Sequence, residues 1–291
     1  MFVITTPTGQ IGRQVVDGLL DGDVPVRVIV RDPSRLSPAV RERVEVVRGS
    51  HRDLDVVNEA FAGADAVFWV VPPDPNAQSV EGHYVDYTRA ACQAIVSHGV
   101  QRVVAVSTMG SGIEKNAGHL SASVTKDRML QDTGVSFRAL QPPAFMENLL
   151  RQVEAIRNQG VFSWPCPGDR VLASVATRDI AAKATELLLD DSWSGQGGVP
   201  VVSPDALTPD GMAQVVSEVL ERPVTYRQAG LEAYRATALQ YGASEAWAQG
   251  LIDMAVAQNA GAYDEQHRSS KPTPTGFRQW CEEVLRPAVL A

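Results

Sequence analysis

The chain has 291 residues, and its 26 lysines and arginines against 34 aspartates and glutamates give a formal net charge of −8. Hydrophobic residues make up 44% of the sequence and charged residues 21%, which is typical of a folded globular protein and excludes an intrinsically disordered chain. The acidic balance argues against direct nucleic-acid binding, because phosphate contacts need a surplus of Lys and Arg. No apolar run approaches the roughly 20 residues that cross a bilayer, so no membrane partner is expected.

The first 140 residues alternate between short apolar runs and longer amphipathic ones. The apolar runs predict strands at residues 2–5, 26–30, 44–47, 66–71, 102–106 and 136–140, and helical patterns lie at 11–20, 54–62, 80–97 and 121–132. The strands are rich in Val and apolar along their whole length, as strands buried on both faces are. This alternation predicts an α/β fold, a doubly wound parallel sheet with helices on both faces.

The pattern changes after residue 150, where helical periodicity dominates. Helices are predicted at residues 178–189, 209–220, 231–241, 244–257 and 277–285, and short strands at 160–164 and 199–202. We therefore predict a first domain over residues 1–150 and a smaller, mostly helical substrate region over residues 151–291. The helix over residues 178–189 could return to the first domain, which would make the second region discontinuous.

The N-terminus and the cysteines favour a cytoplasmic location. The chain opens on an apolar run, residues 2–4, without the basic start and cleavage site of a secretory signal. Cys92, Cys166 and Cys281 are odd in number and far apart, which predicts reduced thiols without metal-ligand spacing. The five histidines form no pair at helical spacing, so no metal site is expected.

A glycine-containing turn follows the first predicted strand and runs into the first predicted helix. A helix N-terminus presents unpaired N–H groups and a partial positive charge, which suits a pyrophosphate. Gly9 and Gly12 would let the backbone approach such a ligand and let the helix and the strand pack closely against each other. In the usual GxxGxxG form of this turn a glycine would stand at the position of Thr6, and its absence weakens the match. The alternative is a tight turn that binds no ligand. The predicted dinucleotide contacts are Thr6, Thr8, Gly9, Gln10, Ile11 and Gly12.

Two arginines follow the second predicted strand. Arg31 lies 19 residues beyond Gly12, where dinucleotide-binding folds place the residue that reads the ribose. A carboxylate there accepts the 2′-hydroxyl of NAD, whereas an arginine pairs with the 2′-phosphate of NADP. Arg31 and Arg35 therefore favour NADP as cofactor, although the adjacent Asp32 complicates this interpretation. The alternative is that both arginines are solvated loop charges.

With these residues in place, the chain resembles the NmrA-like branch of the atypical short-chain dehydrogenases/reductases, an NAD(P)-binding family with a Rossmann fold. The resemblance rests on residues 8–12 (TGQIG), 30–33 (VRDP), 64–72 (ADAVFWVVP), 142–148 (PPAFMEN) and 177–181 (TRDIA). It implies that Val71, Pro72, Pro142 and Phe145 contact the cofactor. The family contains NADP-dependent quinone and isoflavone-type reductases, and also regulators that bind the dinucleotide without turnover.

The resemblance also implies where catalytic groups should lie. Short-chain dehydrogenases usually carry Tyr-x-x-x-Lys on a helix, a spacing that puts both side chains on one face. Lys126 occupies the lysine place and is expected to hold the nicotinamide ribose. Ala122 stands four residues before it, so the tyrosine that donates a proton to a reduced carbonyl is missing. An exposed helix lysine is the alternative for Lys126.

Other side chains are candidates to replace the missing acid. Thr108 follows the fifth predicted strand, where the family's hydroxyl residues lie, and His119 precedes the lysine helix. Together with Lys126 they form the predicted catalytic set. Tyr84 and Tyr87 on the preceding helix are weaker candidates, because buried tyrosines more often serve packing.

The absence of this tyrosine favours some substrates over others. A quinone can accept hydride without an enzymic acid, because the developing charge spreads over an aromatic phenolate, whereas a simple ketone needs a proton donor. We therefore predict an NADPH-dependent reductase of an aromatic, quinone-like or conjugated small molecule. The alternatives are an NADP(H)-sensing regulator that acts through a protein partner, and a tailoring enzyme of secondary metabolism that performs coupling or isomerisation. The sequence is also compatible with a homodimer.

Overall fold

The computed structural model describes residues 1–110, 113 and 116–291, and its centre is a parallel sheet. The described strands are β1 (Phe2–Thr5), β2 (Val26–Val30), β3 (Glu45–Arg48), β4 (Ala66–Trp69), β5 (Arg102–Val106), β6 (Ser136–Gln141), β7 (Ala144–Phe145), β8 (Val161–Trp164), β9 (Ser174–Val175), β10 (Gln196–Pro200) and β11 (Thr225–Gln228). Seven of them pair in parallel in the order β10-β6-β5-β4-β1-β2-β3. The predicted doubly wound α/β fold is confirmed.

Helices connect these strands and build most of the C-terminal part. They are α1 (Gln10–Asp21), α2 (Pro38–Arg41), α3 (Leu54–Phe61), α4 (Val80–His98), α5 (His119–Gln131), α6 (Val153–Gln159), α7 (Thr177–Leu189), α8 (Pro209–Leu220), α9 (Leu231–Gln240), α10 (Glu245–Asn259), α11 (Asp264–Ser269), α12 (Phe277–Trp280) and α13 (Arg286–Leu290). The last predicted helix, residues 277–285, is α-helical only over α12, because a π-helical turn forms its second half, and α13 extends it to Leu290. Within the described residues, no helix has both the length and the apolar character that a bilayer crossing requires.

Successive residues of the central strands enter different cores, which explains why the strands are apolar throughout. Val3 packs into the cluster that contains the apolar side chains of α3 and α4. Its neighbour Ile4 packs into the opposite cluster, which contains the apolar side chains of α1 and α7. Because side chains alternate between the two faces of a sheet, a strand covered on both faces needs an apolar residue at every position.

The chain returns to the sheet after it has entered the C-terminal region. Helix α7 packs against α1, and β10 pairs with β6 at the edge of the sheet. This edge strand begins at Gln196, earlier than the predicted 199–202, because Gly197 and Gly198 carry no side chain that would signal a strand. The division at residue 150 stays a prediction, and residues 177–200 lie with the sheet.

The C-terminal region has a core of its own. Its largest buried side chains include Phe162, Phe277 and Trp280, and Met146 and Leu149 from the segment after β7 join the same cluster. Two short parallel pairs, β8 with β11 and β7 with β9, extend the region beside the carboxyl ends of β5 and β6. This arrangement places a second layer of structure over one end of the sheet, where ligands of doubly wound folds bind.

Candidate functional site

The turn between β1 and α1 lies at the carboxyl edge of the sheet, where the strand order reverses between β1 and β4. The Gly9 N–H donates to the Thr6 carbonyl at 2.9 Å and closes the turn. Gly9 is the N-cap of α1, and no side chain caps this helix. The first turn of α1 therefore offers backbone N–H groups and the positive end of the helix dipole to an anion.

Gly12 is a position at which the packing demands glycine. A Cβ atom there would lie 2.2 Å from the Thr6 carbonyl oxygen, which is far inside van der Waals contact. Thr6 itself adopts a left-handed conformation with φ of 51°, the region that glycine enters most easily. The structure thus shows why related turns carry glycine at the place of Thr6, and this chain tolerates a threonine there at a cost of about 1 kcal/mol or more.

Thr5 joins the ends of β1 and β4, a role that the sequence analysis missed. Its buried hydroxyl donates to the Phe68 carbonyl at 3.0 Å and accepts the Val70 N–H at 2.9 Å. The sequence did carry a signal of this role, because Thr5 is a polar residue in an otherwise apolar strand.

Of the two predicted cofactor contacts that follow β4, Val71 is buried against the core on the α3 and α4 side. The Pro72 carbonyl accepts a hydrogen bond from His83 Nε2 at 2.8 Å.

The loop after β2 leaves its arginines free. The Asp32 carboxylate accepts hydrogen bonds from the Ser34 hydroxyl at 2.7 Å and the Ser34 N–H at 3.0 Å, and these bonds lower its pKa. Arg31 and Arg35 are exposed, and neither forms an ion pair with a residue that the structure describes. Arg48 at the end of β3, which the sequence analysis did not select, pairs in register with Val30 and adds a third exposed guanidinium.

Lys126 is fully buried on α5. Its Nζ donates to the Val106 carbonyl at 2.7 Å and lies 2.8 Å from a carboxylate oxygen of Asp127. The Ser107 hydroxyl donates to the other oxygen of that carboxylate. The ion pair lies within α5, and its two members tie this helix to the carboxyl end of β5 through the hydrogen bonds with Val106 and Ser107. A contact between Lys126 and the nicotinamide ribose stays a prediction.

His119 begins α5 and packs against an aromatic side chain of α10. Its ring centroid lies 4.3 Å from that of Trp247 in an edge-on arrangement. Its Nε2 is buried and has no hydrogen-bond partner within the described structure. Burial lowers the pKa of His119 to about 4, so the ring is neutral at physiological pH and poorly suited to donate a proton. In the part of the chain that the structure describes, no cluster of side chains suits a metal ion.

Thr108 meets a tyrosine that the sequence analysis did not select. The Thr108 hydroxyl lies 3.1 Å from the hydroxyl of Tyr263, which also accepts a hydrogen bond from Gln258 Nε2 at 3.0 Å. Nearby, Gln266 Nε2 donates to Gln141 Oε1 at 2.5 Å, and Gln266 Oε1 accepts the Gly110 N–H at 2.9 Å. Side chains from α10 and from the segment around α11 thus reach the ends of β5 and β6.

A cavity of about 1700 Å³ lies between the end of the sheet and the C-terminal region. Thr108 and Pro142 form its wall on the sheet side. The aromatic and apolar side chains along it include Phe145, Met146, Trp164, Trp247, Leu251, Met254 and, at the exposed end, Tyr241. The cavity therefore presents a mainly apolar surface with a few polar groups at the ends of β5 and β6, as sites for flat organic molecules do.

Glu147, in the segment that resembles the family's PxxFMEN motif, has a structural task. Its carboxylate oxygens accept the Thr177 N–H at 3.0 and 3.1 Å and the Thr177 hydroxyl at 2.8 Å, and Trp280 Nε1 donates to it at 3.3 Å. The negative charge therefore lies at the N-terminus of α7, where it is stabilising. Glu147 also joins α7 to the helix that contains Trp280.

Replacing Glu147 by glutamine should destabilise the protein by about 1–2 kcal/mol, because the charge at the start of α7 is lost while the shape is kept. Urea unfolding followed by circular dichroism measures this change. The control is Glu186→Gln on the same helix, where the carboxylate forms only an exposed ion pair with Lys183, so a change below about 0.5 kcal/mol is expected. If Glu147→Gln and the wild type unfold at the same urea concentration, Glu147 does not stabilise the start of α7.

Residues 7–191, which include the turn, the arginine loop, β5 and Lys126, match the family described as NAD(P)H-binding. The match covers well over half of the sequence. The chain belongs to the NAD(P)H-binding family. This confirms the family resemblance and the nicotinamide cofactor that the turn and the loop predicted. The relatives of known activity, described next, are NAD(P)-dependent oxidoreductases.

Members of known activity resemble this NAD(P)H-binding protein over nearly its whole length. It is 30% identical to the (4-alkanoyl-5-oxo-2,5-dihydrofuran-3-yl)methyl phosphate reductase of Streptomyces griseus, with 97% of each chain covered. It is 27% identical to the NAD(P)H azoreductase of Xenophilus azovorans, with 87% of this chain and 86% of the relative covered. The crystal structure of the NADPH-dependent quinone oxidoreductase 2 of Escherichia coli with NADPH has the same fold, with a TM-score of 0.80, 22% identity and coverage of 98% and 99%.

Proposed function

We propose that this protein is an NADPH-dependent reductase that transfers hydride to a quinone-like or conjugated small molecule. The observation that carries the proposal is the mainly apolar cavity of about 1700 Å³. It begins at Thr108 and Pro142, at the ends of the two strands that follow β4 in the sheet. The crevice at the start of α1 lies on the other side of β4. A cofactor that extends along this edge from the turn toward β5 would bring its nicotinamide to the cavity.

The described residues fit a phosphorylated dinucleotide. The backbone from Thr6 to Gly12 would hold the diphosphate, since α1 begins there without a side-chain cap. The unpaired guanidinium groups of Arg31, Arg35 and Arg48 would surround the 2′-phosphate. When bound, the reduced cofactor supplies a hydride. Phe145 and Pro142 would border the nicotinamide, as the resemblance implies.

The substrate class follows from what the site lacks. Ala122 is buried and replaces the tyrosine that donates a proton in short-chain dehydrogenases. A conjugated acceptor tolerates this loss best, because it spreads the incoming negative charge over several atoms. The names of the relatives support the same class, since an azo compound, a quinone and a dihydrofuranone with a double bond beside its carbonyl are all conjugated acceptors.

The direct test mixes purified protein with NADPH and a panel of quinones, azo dyes and acyl-dihydrofuranones, and follows the absorbance of the reduced nicotinamide. Consumption that depends on both protein and acceptor is the expected result. If NADPH binds and no acceptor in the panel is reduced, the reductase proposal fails. In that case Ala122 favours a dinucleotide-sensing protein without turnover.

Replacing Arg31 by alanine should weaken NADPH binding by about tenfold to a hundredfold and leave NADH binding nearly unchanged, because one charge-assisted contact to the 2′-phosphate is removed. Fluorescence titration with each cofactor measures the two affinities. The control is Arg41→Ala on α2, another exposed arginine without an ion pair among the described residues. Equal losses for NADPH and NADH would show that Arg31 does not contact the 2′-phosphate.

A further inference from the structure

Tyr263 brings a phenol from the C-terminal region to the end of β5. It lies between α10 and α11, and only 8% of its surface is exposed. Its hydroxyl lies 3.1 Å from Thr108 Oγ1 and accepts a hydrogen bond from Gln258 Nε2 at 3.0 Å. All three side chains line the cavity. A proton donor thus lies on the wall where the proposed function places the reacting part of the substrate.

The surroundings keep this phenol protonated and place two hydrogen-bond donors beside the oxygen that would lose the proton. Burial raises the pKa of Tyr263, so the phenol is protonated at physiological pH, while the hydrogen bonds from Thr108 and Gln258 act in the opposite direction. When the Thr108 hydroxyl donates, the phenolic hydrogen is free to point into the cavity. The two donors then stabilise the tyrosinate that remains after proton transfer, because hydrogen bonds to a charged acceptor are the stronger ones.

The other candidates that the sequence analysis named are less suitable donors. His119 is neutral, and the Lys126 ammonium is held by Val106 and Asp127. Burial raises the pKa of Tyr84 to about 12, and the negative charge of Asp127 adds to this effect. A tyrosinate at Tyr84 would therefore face a like charge, whereas one at Tyr263 would face two hydrogen-bond donors.

We propose that Tyr263 is the proton donor for enone-type substrates, whose reduced form carries its charge on a single carbonyl oxygen, and that Thr108 positions its hydroxyl, in place of the tyrosine that is missing at Ala122. The inference rests on the proposed reductase function, from which the hydride comes. The hydride forms a C–H bond at the β-carbon of an enone, and the π electrons move onto the carbonyl oxygen. Tyr263 transfers its proton to that oxygen, which gives an enol, and solvent returns a proton to the tyrosinate.

The inference predicts a substrate-dependent effect of Tyr263→Phe. The rate with a dihydrofuranone that lacks the acyl group should fall on the order of 100-fold or more, because the charge of its reduced form is shared with one carbonyl only and general acid catalysis is lost. The rate with a p-benzoquinone should change by less than about threefold, because its reduced form is a delocalised phenolate that bulk solvent can protonate. The steady-state rate constants with saturating NADPH measure both effects, and NADPH affinity, followed by fluorescence, should stay unchanged.

The matched control is Tyr87→Phe, the same change at a tyrosine of α4 that the sequence analysis considered as an acid but that packs against His51 and His83 and is not part of the cavity wall. It should leave both rates unchanged. Thr108→Val is the second variant, and it should reduce the dihydrofuranone rate more than the quinone rate while Tyr263 is still present. Small buffer acids should partly restore the dihydrofuranone rate of Tyr263→Phe, which a purely structural defect would not allow.

The outcomes separate the inference from the function on which it rests. If the wild type reduces quinones but not the dihydrofuranone, or if Tyr263→Phe lowers both rates equally or neither, the role of Tyr263 is overturned and the reductase function stands. If the wild type consumes NADPH with no acceptor of the panel, azo dyes included, the reductase function fails and the inference fails with it.

Discussion

Replacing Gly12 by alanine is expected to abolish measurable dinucleotide binding, with a loss of affinity of at least about 100-fold. The added methyl group would lie 2.2 Å from the Thr6 carbonyl oxygen and 2.9 Å from the carbonyl carbon, so the turn must move away from α1. The same carbonyl accepts the Gly9 N–H, so the movement also disturbs the backbone that would face the diphosphate. Overpacking of this kind should reduce stability by about 1–3 kcal/mol.

Isothermal titration calorimetry with NADPH measures the affinity of Gly12→Ala, and thermal unfolding shows that the variant is folded at the temperature of the titration. Gly197→Ala is the matched control on β10, because the nearest atom to its new Cβ among the described residues would be Arg138 Nη1 at 3.9 Å, an ordinary contact. The control should bind NADPH like the wild type. If Gly12→Ala is folded and binds NADPH with wild-type affinity, the diphosphate does not bind at this turn.

Replacing Lys126 by methionine should destabilise the protein by about 3–5 kcal/mol, because it leaves the buried Asp127 carboxylate without its cation. The ammonium also donates to the Val106 carbonyl, so the end of β5 loses a partner. Urea unfolding measures the change. The double variant Lys126→Met/Asp127→Asn should recover part of the loss, because the uncompensated charge is then removed as well.

The control for Lys126 is Lys183→Met, which removes a partly exposed lysine that pairs with Glu186 on α7 and should cost less than about 1 kcal/mol. A stable Lys126→Met variant with weaker NADPH binding would instead support the ribose contact that the sequence predicts. Loss of stability together with unchanged NADPH affinity would show that Lys126 is part of the scaffold. The two measurements therefore separate roles that activity alone would confuse.

The central sheet was predictable because its strands are buried on both faces, which leaves an apolar run such as Val28 to Val30 with little other explanation. The edge strand β10 and the shortest elements were not predictable in this way. Strand β10 contains two glycines, and β7 and β9 have two residues each, so neither hydrophobic periodicity nor composition could distinguish them from loops. The π-helical turn in the last predicted helix has no signal of its own in the hydrophobic pattern.

The two ends of the candidate site differ in how far the sequence reveals them. The diphosphate turn is local, since a strand, a turn and a helix follow one another, and its residues could be selected by spacing. The contact between Thr108 and Tyr263 joins residues 155 positions apart, and a lone tyrosine in a helical region carries no mark of this partner. Arg48 was missed for the same reason, because only the parallel register brings it beside the loop of Arg31.

The size of the cavity has a consequence for the substrate selectivity of this protein. Binding sites for small molecules usually measure about 300–1000 Å³, and the space between the sheet and the C-terminal region is larger at about 1700 Å³. A cavity that is larger than its substrates distinguishes poorly between them by their shape. Selection would then rest on how readily a compound takes up electrons, and several unrelated electrophiles would compete for the same catalyst.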